Sequence, residues 1–221
     1  VLDSSESPSL PVSVIADIAA GTYPAVVNIL LGLRKAERTG QGEHIQVSMA
    51  HNLQVLSYGY FATHQAGGGW PKAGAELLTG GSPRYQIYAT SDGRHIACAA
   101  LEQKFWTRLV EIVGLDPKYH SDEGQETAVI AALREVIVEH PSGHWRDVLD
   151  GEDVCAVVVS SWDEAVAAGL VVTDGPAHVT EPRGDQRSFA TLPSPLSSGL
   201  RRPDEVAPYP SLADLPPNPW V

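Results

Sequence analysis

Cysteine is scarce in this chain: Cys98 and Cys155 are the only two among 221 residues, far apart in sequence. No second thiol stands near either, which excludes a disulfide framework and a CxxC redox or zinc site, and points to a reducing, cytosolic setting. Basic residues are also few. The 15 Lys and Arg against 27 Asp and Glu leave a net charge of −12, a field that repels phosphodiester backbones and anionic lipid surfaces, so neither nucleic acid nor membrane is expected as a partner. Long apolar runs are lacking as well. The longest, Ala25 to Leu33, is interrupted by Asn28 and Gly32 and falls short of the roughly 20 residues that a membrane helix needs. No secretory signal opens the chain. Met49 is the sole methionine, so Val1 is not an ordinary translation start and an upstream part is expected. Walker and GxSxG motifs are absent. Gly40-Gln41-Gly42 follows a helical pattern and lacks the third glycine of a dinucleotide fingerprint, so it reads as a helix C-cap. His140 and His144 flank Pro141 with no Cys or carboxylate at ligand spacing, and no metal is assigned.

What is present is an alternation of helical and strand patterns. Val26, Val27, Ile29, Leu30, Leu31 and Leu33 cover most of a helix surface, and the sequence predicts a helix over about 23–37 with Thr22 as N-cap and Pro24 in its first turn. Arg34, Lys35 and Arg38 suit its C-terminal end. A short strand is predicted at 44–48 and a second helix at 50–65. From Pro83 the period changes to two. Tyr85, Ile87 and Ala89 face one way, Asp92-Gly93 marks a hairpin, and Ile96, Cys98 and Ala100 follow. Helices are predicted at about 102–113, 125–139, 142–149 and 162–168, with a buried strand at 155–159. Ten of the 17 prolines fall between Pro176 and Pro219, so the tail reads as an extended arm or a partly disordered one.

Asp17 stands just ahead of the first helix, where unpaired N–H groups and the dipole favour an anion. From position alone a capping or solvent-facing aspartate accounts for it. The stretch Ala16-Asp17-Ile18-Ala19-Ala20-Gly21, continuing to Glu37-Arg38-Thr39-Gly40-Gln41-Gly42-Glu43-His44-Ile45-Gln46-Val47-Ser48-Met49, resembles the most recognisable segment of the family III CoA-transferases (CaiB/BaiF type). That group contains formyl-CoA transferase and α-methylacyl-CoA racemase. Thr79-Gly80-Gly81-Ser82-Pro83-Arg84-Tyr85, the hairpin through Asp92-Gly93-Arg94, and Leu101-Glu102-Gln103-Lys104-Phe105-Trp106 are similar to its next blocks, in the same order. The likeness covers roughly residues 10–170, and ordered blocks are more specific than one short motif.

The resemblance implies an α/β chain with the family III fold. Residues 1–75 would be the end of the Rossmann-like large domain, with the catalytic aspartate and a linker helix. Residues 76–150 would form a small α+β domain, and 151–221 a return to the large domain with a Pro-rich C-terminal arm. It implies Asp17 as the catalytic carboxylate. In transferases that residue attacks the acyl-CoA thioester to give an acyl-aspartyl anhydride and CoA thiolate. In racemases it moves the α-proton opposite a histidine, here assigned to no residue. Tyr85 matches a tyrosine near the thioester and Glu102 a glutamate that orients the catalytic histidine. Their ordinary alternatives are a strand tyrosine with a wet hydroxyl and an acid in the first turn of a helix. Gly80 and Gly81 match a glycine lid loop that is longer in formyl-CoA transferase. Ile-Ala-Ala-Gly after Asp17, where racemases often carry more glycine, leans towards transferase. The resemblance implies an acyl-CoA:carboxylate CoA-transferase with coenzyme A as substrate, no other cofactor, a carboxylic acid acceptor and an interlocked homodimer. An acyl-CoA α-epimerase and a non-catalytic fragment or subunit are the alternatives. The basic contacts to CoA are expected in the upstream part.

Overall fold

The computed structural model describes residues 14–171, 176–180, 186–190 and 195–200. The chain divides into two compact units, Val1–Val159 and Ser160–Val221. In the first unit, a π-helical segment, Ala16–Thr22, runs directly into helix α1, Tyr23–Thr39. Thr22 is therefore helical and makes no side-chain cap, contrary to the N-cap expected of it. Gly40, left-handed at φ 71°, ends the helix as predicted. Together the two segments form one helix of 24 residues, almost wholly exposed and long and apolar enough to cross a membrane. This corrects the reading from uninterrupted runs, because a helix averages Asn28 and Gly32 into its faces instead of stopping at them. The same length and composition also suit a core helix of a larger domain.

Residues 41–48 are not a strand. Their alternation places Ile45 against Gly32, with the Ile45 Cδ1 3.2 Å from where a β-carbon on Gly32 would stand, and the pattern describes an extended segment lying along α1. The Lys35–Glu43 ion pair fastens its start. Ser48 then caps α2, Met49–Leu53, by accepting from the His51 N–H at 3.4 Å. The single helix expected over 50–65 is α2, a 3₁₀ turn at Gln54–Ser57, and α3, Tyr58–Gln65. Ser57 and Gly59, both weak helix formers, stand at the break.

The rest of this unit is built on an antiparallel sheet in the order β1-β2-β3, with β1 Tyr85–Ala89, β2 His95–Ala99 and β3 Ala156–Val158. Register pairs Tyr88 with Ile96 and Ile96 with Val158 on one face, and Ile87 with Ala97 and Ala97 with Val157 on the other. Only the first face is covered. Helices α4, Gln103–Ile112, α5, Glu126–Ile137, and α6, Ser142–Leu149, supply Trp106, Leu109, Val129, Leu133 and Trp145 to a core that also takes Tyr88, Ile96 and Cys98. The trio Tyr85, Ile87 and Ala89 thus lies on the open face, opposite the side that buries Ile96 and Cys98. Both core indoles are hydrogen-bonded, Trp106 Nε1–H to the His120 carbonyl at 2.7 Å and Trp145 Nε1–H to that of Ile137 at 2.9 Å.

The predicted hairpin forms, with a wider loop than a two-residue turn. Thr90 N–H donates to the Arg94 carbonyl at 2.9 Å, and Ser91-Asp92-Gly93 close the loop with Gly93 left-handed at φ 75°. That is the three-residue geometry in which a type I turn ends on a left-handed glycine. Asp92 ties the loop to α6. Its carboxylate accepts from the Ser142 hydroxyl at 2.6 Å, from the Ser142 N–H at 3.1 Å to both oxygens, and from the Thr90 hydroxyl at 2.5 Å. Donation by Ser142, then Thr90, holds this carboxyl well below its ordinary value of 3.8. A depressed folded pKa contributes stability above the ordinary value and loses it as pH falls through the folded one. Between about pH 4 and pH 2 the thermal midpoint should fall more steeply in the parent protein than in Asp92→Ala; parallel curves would refute the link.

In the second unit, α7, Trp162–Ala167, opens with a complete capping box. Ser161 Oγ accepts from the Glu164 N–H at 3.2 Å and the Glu164 carboxylate from the Ser161 N–H at 2.7 Å. Strands β4, Pro176–Thr180, and β5, Gln186–Ala190, pair antiparallel, a hairpin the proline-rich composition does not announce. Most of the predicted arm lies outside the described residues.

Candidate functional site

Asp17 occupies the first turn of the π-helical segment, not a turn ahead of the helix. A π-turn closes its hydrogen bonds over one more residue than an α-turn, and such turns occur often at functional sites. Two side-chain donors, one from α2 and one from the segment itself, complete this one. Asn52 of α2 donates from Nδ2 to the Ala20 carbonyl at 2.8 Å, and Thr22 Oγ1 donates to the Asp17 carbonyl at 3.0 Å. Gly21 permits the close approach of α2, since a β-carbon there would stand 3.2 Å from Cγ and Sδ of Met49. The Asp-x-x-x-Gly spacing therefore has a local cause: glycine admits α2, and α2 braces the turn that carries the carboxylate. That carboxylate is exposed and makes no hydrogen bond or ion pair with any described residue. With no partner among the described residues, it stands in the first turn of the helix.

Tyr85 and Glu102 are joined by a residue that the sequence analysis did not select. Arg84 forms a two-point ion pair with Asp122, Nε to Oδ2 at 2.8 Å and Nη2 to Oδ1 at 2.6 Å. It also donates from Nη1 to the Leu101 carbonyl at 3.2 Å and from Nη2 to Gln103 Oε1 at 3.0 Å, bracing both neighbours of Glu102. Its guanidinium lies 5.1 Å from the Trp106 ring centre. The planar fork of arginine suits this many-sided contact, which lysine cannot reproduce. Glu102 itself is the N-cap of α4, exposed, with no side-chain capping bond. Tyr85 opens β1 on the uncovered sheet face, 38% exposed. The signal for Arg84 was in plain view, inside the same block as Tyr85. Asp122 sits in an irregular loop and gave none.

Gly80 and Gly81 are tightly fitted. A β-carbon at Gly81 would lie 2.1 Å from the Ala75 carbonyl oxygen, a backbone atom that cannot step aside cheaply. The Gly81 N–H donates to the Glu76 carbonyl at 3.0 Å, and the Gly80 carbonyl accepts from Gln86 Nε2 at 2.8 Å. Gly80 and Tyr85 border one cleft of about 670 Å³ on the uncovered face of the sheet, which Cys98 and Cys155 also line. Cys98 stands opposite Ala156 in the register with its side chain in the covered core, and both cysteines are free. Burial, with Cys155 adding to it, pushes Cys98 up to about 11. Cys155 is exposed and, at φ 50°, is the one non-glycine residue with positive φ among those described. Asp17 does not line this cleft. Among the described residues no cluster of three or more His, Cys, Asp or Glu could hold a metal, and His140 and His144 stack with ring centres 4.1 Å apart.

A family model described as CoA-transferase family III matches residues 3–210. The chain is 30% identical over 168 residues to human alpha-methylacyl-CoA racemase, covering 74% of this chain and 44% of the relative. It is 26% identical over 206 residues to formyl-CoA:oxalate CoA-transferase of Streptomyces avermitilis, covering 82% and 49%. It thus spans about half the length of the curated relatives it matches. Among solved structures, a mutant of Rv3272 from Mycobacterium tuberculosis superposes with a TM-score of 0.68 at 18% identity, covering 94% of this chain and 55% of the other.

Proposed function

Given that the chain belongs to CoA-transferase family III, we propose that it serves an acyl-CoA:carboxylate CoA-transferase in which Asp17 is the nucleophile. The observation that carries the reading is the Asp17 carboxylate, exposed and without a partner among the described residues, on its braced π-turn. A carboxylate there is held by its backbone and leaves both oxygens available for attack. One oxygen adds to the thioester carbonyl and the C–S bond breaks, its electron pair leaving on the CoA thiolate and an acyl-aspartyl anhydride remaining. The thiolate then attacks the aspartyl carbonyl of the anhydride and releases the original acid, giving an aspartyl-CoA thioester. The acceptor carboxylate attacks that thioester, freeing the thiolate and forming a second anhydride. Return of the thiolate to the acceptor's acyl carbon gives the new CoA ester and regenerates Asp17. No proton moves at the α-carbon. Tyr85 would donate a hydrogen bond near the thioester, and Glu102, whose carboxylate has no partner among the described residues, would receive one from a group outside them. The protein would work in the cytoplasm, as an interlocked homodimer.

Epimerisation is the second reading, favoured by the 30% identity to a racemase. There Asp17 would take or return the α-proton, opposite a base supplied from outside the residues described. The two separate in D₂O. Transfer of CoA to an added carboxylic acid with no deuterium entering the α-carbon of recovered thioester is the expected result. Deuterium wash-in without any CoA transfer would overturn the transferase reading.

A further inference from the structure

We propose that Asp150-Gly151, at the end of α6, is a modification site where the aspartate isomerises to isoaspartate through a succinimide, without an enzyme. The step needs only the chain and water. The Gly151 amide nitrogen adds to the Asp150 side-chain carboxyl carbon and gives up its proton, and the carboxyl hydroxyl leaves as water, closing a five-membered imide. Glycine favours the attack because no β-carbon crowds its nitrogen. Water then adds to one imide carbonyl and breaks its C–N bond. Opening at the side-chain carbonyl restores aspartate. Opening at the main-chain carbonyl leaves the peptide link running through the Asp150 β-carbon and frees the α-carboxylate. One water leaves and one returns, so composition and charge are unchanged. This chemistry owes nothing to CoA or to Asp17.

The fold treats two Asp-Gly pairs in opposite ways; a third, Asp174-Gly175, lies outside the described residues. At Asp92-Gly93 both reacting groups are engaged. The Asp92 carboxylate accepts from the hydroxyls of Ser142 and Thr90 and from the Ser142 N–H, and the Gly93 N–H donates to the Thr90 carbonyl at 3.0 Å. The same donors keep this carboxyl ionised, whereas water leaves only from the protonated form. At Asp150-Gly151 both groups are available. Asp150 is exposed and its side chain has no partner among the described residues, and neither has the Gly151 N–H. The bond that closes the end of α6 passes over Gly151, running from the Glu152 N–H to the Leu149 carbonyl at 3.2 Å. Gly151 is left-handed at φ 72°, and no atom stands within 4 Å of where its β-carbon would be, so ring and water have room. That φ is also why the chain uses glycine here, so the lability accompanies a turn the fold requires. The product lengthens the backbone by one carbon between two fixed points. Leu149 is held in the core on one side, and on the other the Glu152 carboxylate accepts from Arg108 at 2.7 and 3.0 Å.

The native protein that carries this sequence, aged at neutral pH and compared with an unaged control, supplies the test. Isoaspartate is read peptide by peptide by electron-transfer fragmentation, and independently by a protein isoaspartate carboxyl methyltransferase with a labelled methyl donor. It should accumulate at residue 150 about tenfold or more faster than at residue 92, since each unit by which a carboxyl pKa is depressed already lowers its protonated fraction about tenfold. In denaturant the two positions should isomerise at similar rates, because only the fold distinguishes them. Asp150→Glu keeps the charge but cannot close the five-membered ring, and its peptide should take no label above the unaged control. No rise at residue 150, equal or faster isomerisation at residue 92 in the folded protein, or a tenfold difference that persists in denaturant would each overturn the proposal.

Discussion

Asp17→Asn lowers CoA transfer by on the order of 10⁴-fold, about 5.5 kcal/mol of lost transition-state stabilisation at 1.36 kcal/mol per tenfold. The amide has almost the volume of the carboxylate but cannot add to a thioester as an oxyanion, so the covalent route closes. Stability should hardly change. Asp17 is exposed and its side chain has no described partner, so the cost is limited to its interaction with the helix N-terminus, roughly 0.3–1 kcal/mol. The same replacement removes an α-proton base, so it tests Asp17 in either chemistry, and hydroxylamine tests the transferase step itself. Hydroxylamine added during turnover should leave a hydroxamate on Asp17, which a proton-transfer cycle never forms. Transfer within tenfold of the parent rate in Asp17→Asn would remove the residue from the mechanism. The assay belongs on the native protein that carries this sequence, since the chain spans about half of its curated relatives.

The second large effect is on the framework. Arg84 and Asp122 are each about 15% exposed at their side chains, so removing one partner strands a largely dehydrated charge. Asp122→Ala should cost about 3 kcal/mol, the lower end for breaking a buried pair. At 2–4 °C per kcal/mol for a chain of this size, the unfolding midpoint should fall by roughly 6–12 °C. Asp122→Asn keeps one acceptor for the guanidinium and should cost distinctly less. Because Arg84 also holds the carbonyl of Leu101 and the amide oxygen of Gln103, the alanine variant should raise KM through displacement of Tyr85 and Glu102 even below its melting temperature. An unchanged midpoint would show that Arg84 is held by its other contacts.

What could be read from the sequence was what neighbouring residues decide. The hairpin at Asp92-Gly93, helix α6 at Ser142–Leu149 and the stop of α1 at Gly40 follow from alternation, periodicity and backbone freedom within a few residues. Family membership was legible because three blocks occur in order. Hidden features depend on contacts across long separations. The π-turn under Asp17 needs Asn52, 32 residues from its partner Ala20, and the Asp92 bond to Ser142 spans 50. That Cys98 stands opposite Ala156 follows only from the pairing of β2 with β3. Arg84 lies inside a recognisable block, but nothing in a string of letters shows that its guanidinium meets Asp122, Leu101, Gln103 and Trp106.

The strand order also decides what the molecule risks before it is finished. With the order β1-β2-β3, strand β1 has a neighbour on one side only among the described residues, and its sequence, Tyr85-Gln86-Ile87-Tyr88-Ala89, carries no charge and no proline. Uncharged, β-favouring edges are templates on which other chains add strands, which natural sheets blunt with lysine, proline or a bulge. Here the nearest such residues, Pro83 and Arg84, stand just ahead of the strand, where they act as gatekeepers at its entrance and leave its length open. A ribosome-bound or truncated chain presenting this edge would be prone to form intermolecular sheet, so solubility would depend on how quickly the edge is covered.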